Sequence, residues 1–363
     1  MPLNDDLIKI IDQFDEIYSP HSRIDSFQKS QKMSILENLS VPLFPIEDEM
    51  FSEFHIHPKD MNFEIQTIPK ATWDSLLKNT SSAINDSASG KSIRLVVKET
   101  RTNKFVGLIR LGSPIINCKP RNILFGKPFT SSKELSASFN NSVMMGFVIV
   151  PMQPFGFNYL GGKLLAGICC SHEIREMIDR KYGTEICMFE TTSLYGSSKS
   201  VSQYDGMDLY LKYKGTTESN FIPVPSGKSY DDLKFLVDSI DKTIVVREGT
   251  SKKLKTMNKI ISYVNKNLSD DIQKQRFNNI INHALSLTEK KRYYISSYGF
   301  SNSIDHIVNN SPLSPSPSFD KFYLPNIINY WKNKSSKRYT SLVSQNRLRT
   351  SIELQSNNLD IIR

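Results

Sequence analysis

The sequence predicts a mixed α/β fold, an α+β sheet carrying helical additions at both ends. Three observations predict it. Residues 93–111 read as a hairpin, two apolar runs joined at Arg101-Thr-Asn103 and closed by Gly112-Ser113-Pro114. Residues 144–192 read as strand, glycine loop, helix and strand. Amphipathic helical patterns occupy residues 3–18 and the region beyond 250.

At the start, Asn4 can cap a helix, Asp5 and Asp6 suit its first turn, and Leu7, Ile10, Ile11, Phe14 and Ile17 share one face. A second helix is expected at 26–39. Residues 41–46 read as extended, because each proline removes a donor and restricts its predecessor. Phe54-His-Ile-His57 alternates at strand spacing, which places His55 and His57 on one face. Such a pair can bind a metal or face solvent; no third ligand is evident, so no metal site is expected. Residues 72–79 read as a helix burying Trp73, Leu76 and Leu77, followed by a polar loop to Gly90. Residues 113–141 carry Pro114, Pro120 and Pro128 with Lys119, Arg121, Lys127 and Lys133. This insertion is expected at the sheet edge or over a cleft, touching nucleic acid or simply solvated.

The apolar run 144–150 ends at Pro151, and an aromatic, glycine-containing loop leads to Gly161-Gly162-Lys163. Leu164, Leu165, Ile168, Ile174, Met177 and Ile178 then predict one helix over 162–181, closed by Gly183, with a strand at 185–191. This order presents backbone N–H groups and a helix N-terminus to an anion. The plainer alternative is that Gly161-Gly162 only allows close strand–helix packing. Next, Glu190-Thr-Thr-Ser-Leu-Tyr-Gly196 and Ser202-Gln-Tyr-Asp205 gather carboxylates, phenols and hydroxyls at the C-terminal end of a strand, where open α/β sheets bind ligands. Glu190 or Asp205 suits a base, and Tyr195 or Tyr204 an acid or a stacking platform. A hydroxyl-rich turn bonding its own backbone is the competing reading.

Residues 207–213 alternate as a further strand, 216–229 form a loop, and 230–240 a helix. Two helices are expected at about 252–264 and 270–287. Pro312, Pro315 and Pro317 among serines mark an exposed or disordered linker. The tail is basic, with Lys332, Lys334, Lys337, Arg338, Arg347 and Arg349, and Tyr330, Trp331 and Tyr339 interleaved. That mixture neutralises phosphates and stacks on bases. A helix with a solvated basic face and Trp331 in the core fits the same residues.

The chain of 363 residues is 39% hydrophobic and 10% aromatic, which excludes global disorder. A net charge of +9 favours nucleic acid or another polyanion as partner, with a basic soluble protein that has no such partner as the plainer alternative. The four cysteines, Cys118, Cys169, Cys170 and Cys187, lack CxxC spacing, against a disulfide framework or zinc site. No apolar run approaches 18 residues and the first residues lack a signal pattern, so a cytoplasmic protein without a membrane partner is expected. Three segments are expected: a helical and extended one at 1–88, the core at 89–245, and a helical basic region at 246–363.

The hairpin, strand, glycine loop, helix and strand together resemble the GNAT acyltransferase core over about residues 90–215. The resemblance implies that the strand at 144–150 splays from its neighbour. It also implies an acyl donor, acetyl-CoA or another acyl or aminoacyl carrier, held on backbone around Val148, Ile149, Val150, Gly161, Gly162 and Lys163. In Gln153-Pro-Phe-Gly156-Phe-Asn158 the family's Gln and the first glycine, Gly156, are present, but Asn158 stands where a small residue is usual. Phe105-Val-Gly-Leu-Ile-Arg-Leu-Gly-Ser-Pro114 and the Tyr195 to Asp205 loop are similar to phage GNAT-type DNA-modification proteins related to Mom, and more distantly to DruA defence proteins. This implies acyl-type modification of a DNA base that protects DNA from restriction, in the host cytoplasm if the protein is viral. Glu190, Tyr195, Tyr204 and Asp205 would then face the base, and the tail cations the DNA. Acylation of a protein or small amine, and non-catalytic DNA binding in defence, are the alternatives.

Overall fold

The computed structural model describes residues 4–37, 46–81, 90–193, 201–217, 221–249, 251–287 and 290–354. In chain order the elements begin with α1 (Asn4–Tyr18), α2 (Ile24–Glu37), α3 (Ile46–Glu49), β1 (Phe63–Gln66) and α4 (Lys70–Thr80). The hairpin β2 (Ser92–Glu99) and β3 (Lys104–Gly112) precedes α5 (Lys119–Phe125), α6 (Lys133–Ser142) and β4 (Val143–Pro151). Then come α7 (Phe155–Tyr159), α8 (Gly161–Cys169), α9 (His172–Tyr182), β5 (Met188–Ser193) and β6 (Lys212–Thr217). The remaining elements are α10 (Lys228–Ile240), α11 (Lys252–Asn267), α12 (Asp271–Ser286), β7 (Lys291–Ser296), α13 (Ser303–Asn309) and α14 (Leu324–Ser344).

The chain divides into two compact units, each assembled from segments distant in sequence. The smaller takes α1, α2, α10, α11 and α12 around a core that includes Ile10, Phe14, Leu233, Met257, Ile260 and Phe277. The predicted face of α1 is the one it buries. Within this unit Arg276 bridges Asp12 and Asp15 at 2.7 and 2.9 Å, and Asp270 caps α12 through the N–H groups of Ile272 and Gln273.

The larger unit is built on a seven-stranded mixed sheet in the order β1-β2-β3-β4-β5-β7-β6. Every pairing is antiparallel except β4–β5. The expected fold class therefore stands. On one face Val97, Ile109 and Ile149 pack with Leu165 and Ile168 of α8 and with Ile327 and Trp331 of α14. On the other, Trp73 and Leu76 of α4 cover Val96, Leu108 and Val148, while Phe139 and Ile307 cover Met188 and Tyr293.

Several expectations fail locally, each for a visible reason. The helix expected over 162–181 is two helices, because the Ser171 hydroxyl caps the second by accepting from Ile174 N–H at 3.3 Å. The stretch before it is the helical turn α7 rather than an open loop. Residues 54–57 are a turn, not a strand. The His57 ring nitrogen accepts from Lys59 N–H at 3.2 Å, and Pro58 opens a 3-10 turn, Pro58–Asp60. Residues 207–211 form turns that bury Met207, Tyr210 and Leu211, a set equally compatible with alternation, and the strand comes later as β6. β7, unforeseen, inserts between β5 and β6. The prolines at 312, 315 and 317 are exposed, one of the two readings offered, and main-chain bonds tie their stretch down: Ser301 N–H bonds Ser314 O at 2.9 Å and Ser316 N–H bonds Gly299 O at 2.8 Å. The basic insertion at 113–141 folds as α5 and α6. Of residues 41–46, read as extended, 41–45 lie outside the described residues and Ile46 opens α3. Among the described residues no helix is long and apolar enough to cross a membrane.

Trp331 ties α14 to the core. It is 1% exposed, and its Nε1–H and the Ser335 hydroxyl both donate to Tyr159 O at 2.8 Å. Trp331→Ala is expected to lower the unfolding free energy of this unit by about 3–5 kcal/mol in urea denaturation.

Candidate functional site

Alternation along β5 and β7 sorts the candidate residues onto two faces. Thr191 pairs with Tyr294 across the strands, and both point toward the α8 face. Tyr204 is buried there, its ring edge-on to Tyr294 at 5.3 Å. Asp205 completes the cluster. Its carboxylate accepts from Tyr294 O–H and Arg292 Nη1, each at 3.0 Å, and from Ser202 N–H at 2.9 Å. With these three donors the carboxylate holds Arg292 and Tyr294 in place. Burial pushes the Tyr204 phenol well up and Tyr294 up to about 12, so both stay protonated as hydrogen-bond donors at neutral pH.

Cations and aromatics surround this cluster. The Arg292 guanidinium lies 4.7 Å from the Tyr213 ring, which is 46% exposed, and 5.7 Å from the Tyr294 ring. The Lys163 amine donates to Gln203 O at 3.1 Å and to Asp205 O. Burial and neighbouring Lys334 press its pKa down. Lys334 lies 5.2 Å over the Tyr330 ring, whose hydroxyl donates to Gly206 O at 2.7 Å. Thus Lys163 and Lys334, assigned to different roles by sequence, meet at one loop.

Glu190 is elsewhere. It points to the opposite face of the sheet, fully buried, and pairs with Arg121 of α5 at 2.8 Å. Tyr293 O–H donates to its other oxygen at 2.6 Å. Arg121 also donates to the carbonyls of Ile115 and Ile116 and lies 4.7 Å from the Phe139 ring. Burial raises the Glu190 pKa, and Arg121 and Tyr293 oppose the rise. This is a structural ion pair closed to ligand, and the structure does not bring Glu190 to Tyr204 and Asp205. Tyr195 lies outside the described residues.

The β4–β5 pairing runs from Val143↔Met188 to Gly146↔Thr191 and stops, and Thr191 Oγ1 donates to Gly146 O at 3.0 Å. Beyond it β4 stays with β3 as far as Pro151, while β5 stays with β7 as far as Ser193. The two strands therefore part at Gly146. Val148 and Ile149 are buried on opposite faces and Val150 is half-buried.

An acyl carrier's pyrophosphate would need free backbone N–H groups after β4. Three of those after β4 are engaged: Gly156 N–H by Met152 O at 2.8 Å, Phe157 N–H by Gln153 Oε1 at 3.1 Å and Asn158 N–H by Pro154 O at 2.8 Å. Gly161 and Gly162 are buried. A Cβ on Gly162 would meet Gln203 Oε1 at 2.1 Å, so the Gln203 side chain covers the head of α8. The residues present do not fit that group.

The tail cations divide. Lys332 donates to Asn62 at 3.3 Å, and Lys337 is exposed. Arg338 and Arg349 lie on Phe157, 4.6 and 3.9 Å from its centroid, and Arg347 is exposed. Sequence reasoning missed Arg292, Tyr294, Gln203 and Arg121. The run Lys-Arg-Tyr-Tyr-Ile-Ser at β7 is strand-like in composition, and reading it so would have found the first two. No local pattern marks Gln203 or Arg121. Among the described residues no group of three His, Cys, Asp or Glu is placed to hold a metal.

The family described as Druantia protein DruA matches residues 24–207, half of the chain. The chain belongs to the DruA family. DruA proteins are Druantia defence proteins, and membership supports a role in phage defence. The match takes in Lys163, Tyr204 and Asp205 but not Arg292, Tyr213 or α14. No curated protein and no solved structure matches the chain.

Removing one partner of the inner pair leaves a buried charge uncompensated. Glu190→Ala is expected to cost about 3–5 kcal/mol in denaturant unfolding, whereas the paired change Arg121→Met with Glu190→Leu costs far less. Equal losses would contradict the assignment.

Proposed function

We propose that this DruA-family protein serves phage defence by binding DNA on the sheet face that carries Asp205, with the protein acting in the cytoplasm. The observation that carries this reading is the interleaving of Lys163, Arg292 and Lys334 with Tyr213, Tyr294 and Tyr330 around residues 203–208. Cations neutralise phosphates, and a half-exposed tyrosine backed by a guanidinium offers a stacking surface to an unpaired base. The net charge of +9 agrees in sign. Anisotropy with a labelled thymidine 20-mer tests it. Tyr213→Ala is expected to weaken binding by about tenfold, and affinity to fall steeply with salt. Binding that ignores both salt and Tyr213 would refute the reading.

A second reading, GNAT-like group transfer to a DNA base that shields DNA from restriction, is favoured by the strand order and by the parting of β4 and β5 at Gly146. In it Tyr204 and Asp205 orient the base. Nucleosides digested from DNA of expressing cells would contain a new species, lost in Asp205→Asn and Tyr204→Phe. Unaltered nucleosides leave DNA binding alone as the function.

A further inference from the structure

The residues after α14 fold back onto the loop that follows β4. Asn158, fully buried, fixes Arg349 by its main chain: its Nδ2–H donates to Arg349 O at 2.7 Å, and Arg349 N–H donates to its Oδ1 at 3.1 Å. Glu353 N–H adds a bond to Gln153 O at 3.1 Å. Arg349 is thereby held over Phe157, its guanidinium carbon 3.9 Å from the ring centroid. Arg338 approaches the same ring at 4.6 Å, and its Nε–H donates to Phe157 O at 3.4 Å. Arg347, the next arginine of this stretch, is exposed and its Nη1–H donates to Gln345 Oε1 at 3.1 Å. Burial first, and then Arg347 and Arg349, push the Arg338 pKa down.

One carboxylate answers the three. Glu353 takes Arg349 Nη1 at 3.3 Å, and among the described residues neither Arg338 nor Arg347 has a carboxylate partner. Holding guanidiniums together in this way is unfavourable until an anion joins them. The guanidinium fork matches phosphate oxygens in pairs. We propose that Arg338, Arg347 and Arg349 form a binding site for a phosphate group, built on the loop after β4 and distinct from the Asp205 face. Side chains would here do what the engaged backbone N–H groups of that loop cannot. Asn158 and Phe157 act as positioning residues for the cluster.

The phosphate can belong to a nucleic-acid backbone or to a free nucleotide, and the test separates them. Wild type, Arg347→Ala, Arg338→Gln and the double variant are titrated with the labelled thymidine 20-mer, with ATP and with pyrophosphate, after matched thermal melts. Each single change is expected to weaken one of these probes about tenfold. Loss confined to the 20-mer, with a salt slope shallower by about 0.7 per contact removed, assigns the backbone. Loss of ATP or pyrophosphate assigns a free phosphate ligand. Unchanged binding of all three probes by the double variant, or no binding of any by wild type, overturns the proposal. Tyr213→Ala serves as the control. If it weakens the 20-mer and the arginine changes weaken none of the three probes, the phosphate site fails and the Asp205 face stands.

Discussion

The alternation of side chains along β5 and β7 is the constraint on which the site depends. It sends Glu190 and Tyr293 to one face and Thr191, Arg292 and Tyr294 to the other. Each face then carries one charged network. The inner one, Arg121 with Glu190 and Tyr293, is sealed under α5 and α6, where aromatic rings flank the guanidinium. The outer one, Asp205 with Arg292 and Tyr294, retains exposure on all its charged groups, with Asp205 at 36% and Arg292 at 21%. A one-residue slip in either strand would bury the wrong network. The sealed pair therefore helps fix the register that opens the other to ligand.

Much of the fold was legible because its hydrophobic periodicities are strong. The face of α1, the hairpin β2–β3, the strands β4 and β5 and the helices α11 and α12 follow from residue spacing. What escaped was decided by long-range pairing. β7 is a six-residue strand that follows α12 and gains its place only by lying between β5 and β6, which no local pattern reports. Met207, Tyr210 and Leu211 suit a strand or a turn equally until Tyr204 anchors the turn's first hydrogen bond.

The site was legible in half. Tyr204 and Asp205 share one cluster as read from sequence, whereas Glu190, equally polar and two strand positions from Thr192, is spent on Arg121. Acidic identity does not reveal facing; parity relative to a neighbouring strand does. Asn158 is similar. In sequence it is a departure from a phosphate-loop pattern, and in the structure it is the bond that fastens the chain after α14 to that loop. The aromatic residues of the loop likewise have packing roles, with Phe155 and Tyr159 beside Phe51 and Phe157 beneath two arginines. An open backbone cradle and this side-chain-filled loop share a spacing but not a chemistry.

In the proposed function nucleic acid lies across the Asp205 face of the sheet. Photocrosslinking of the full chain to a 4-thiothymidine oligonucleotide, followed by peptide mapping, tests it most directly. Adducts in residues 201–217, 291–296 and 330–334 are the predicted result. Adducts confined to α1, α10, α11 or α12, or none at all, would contradict it.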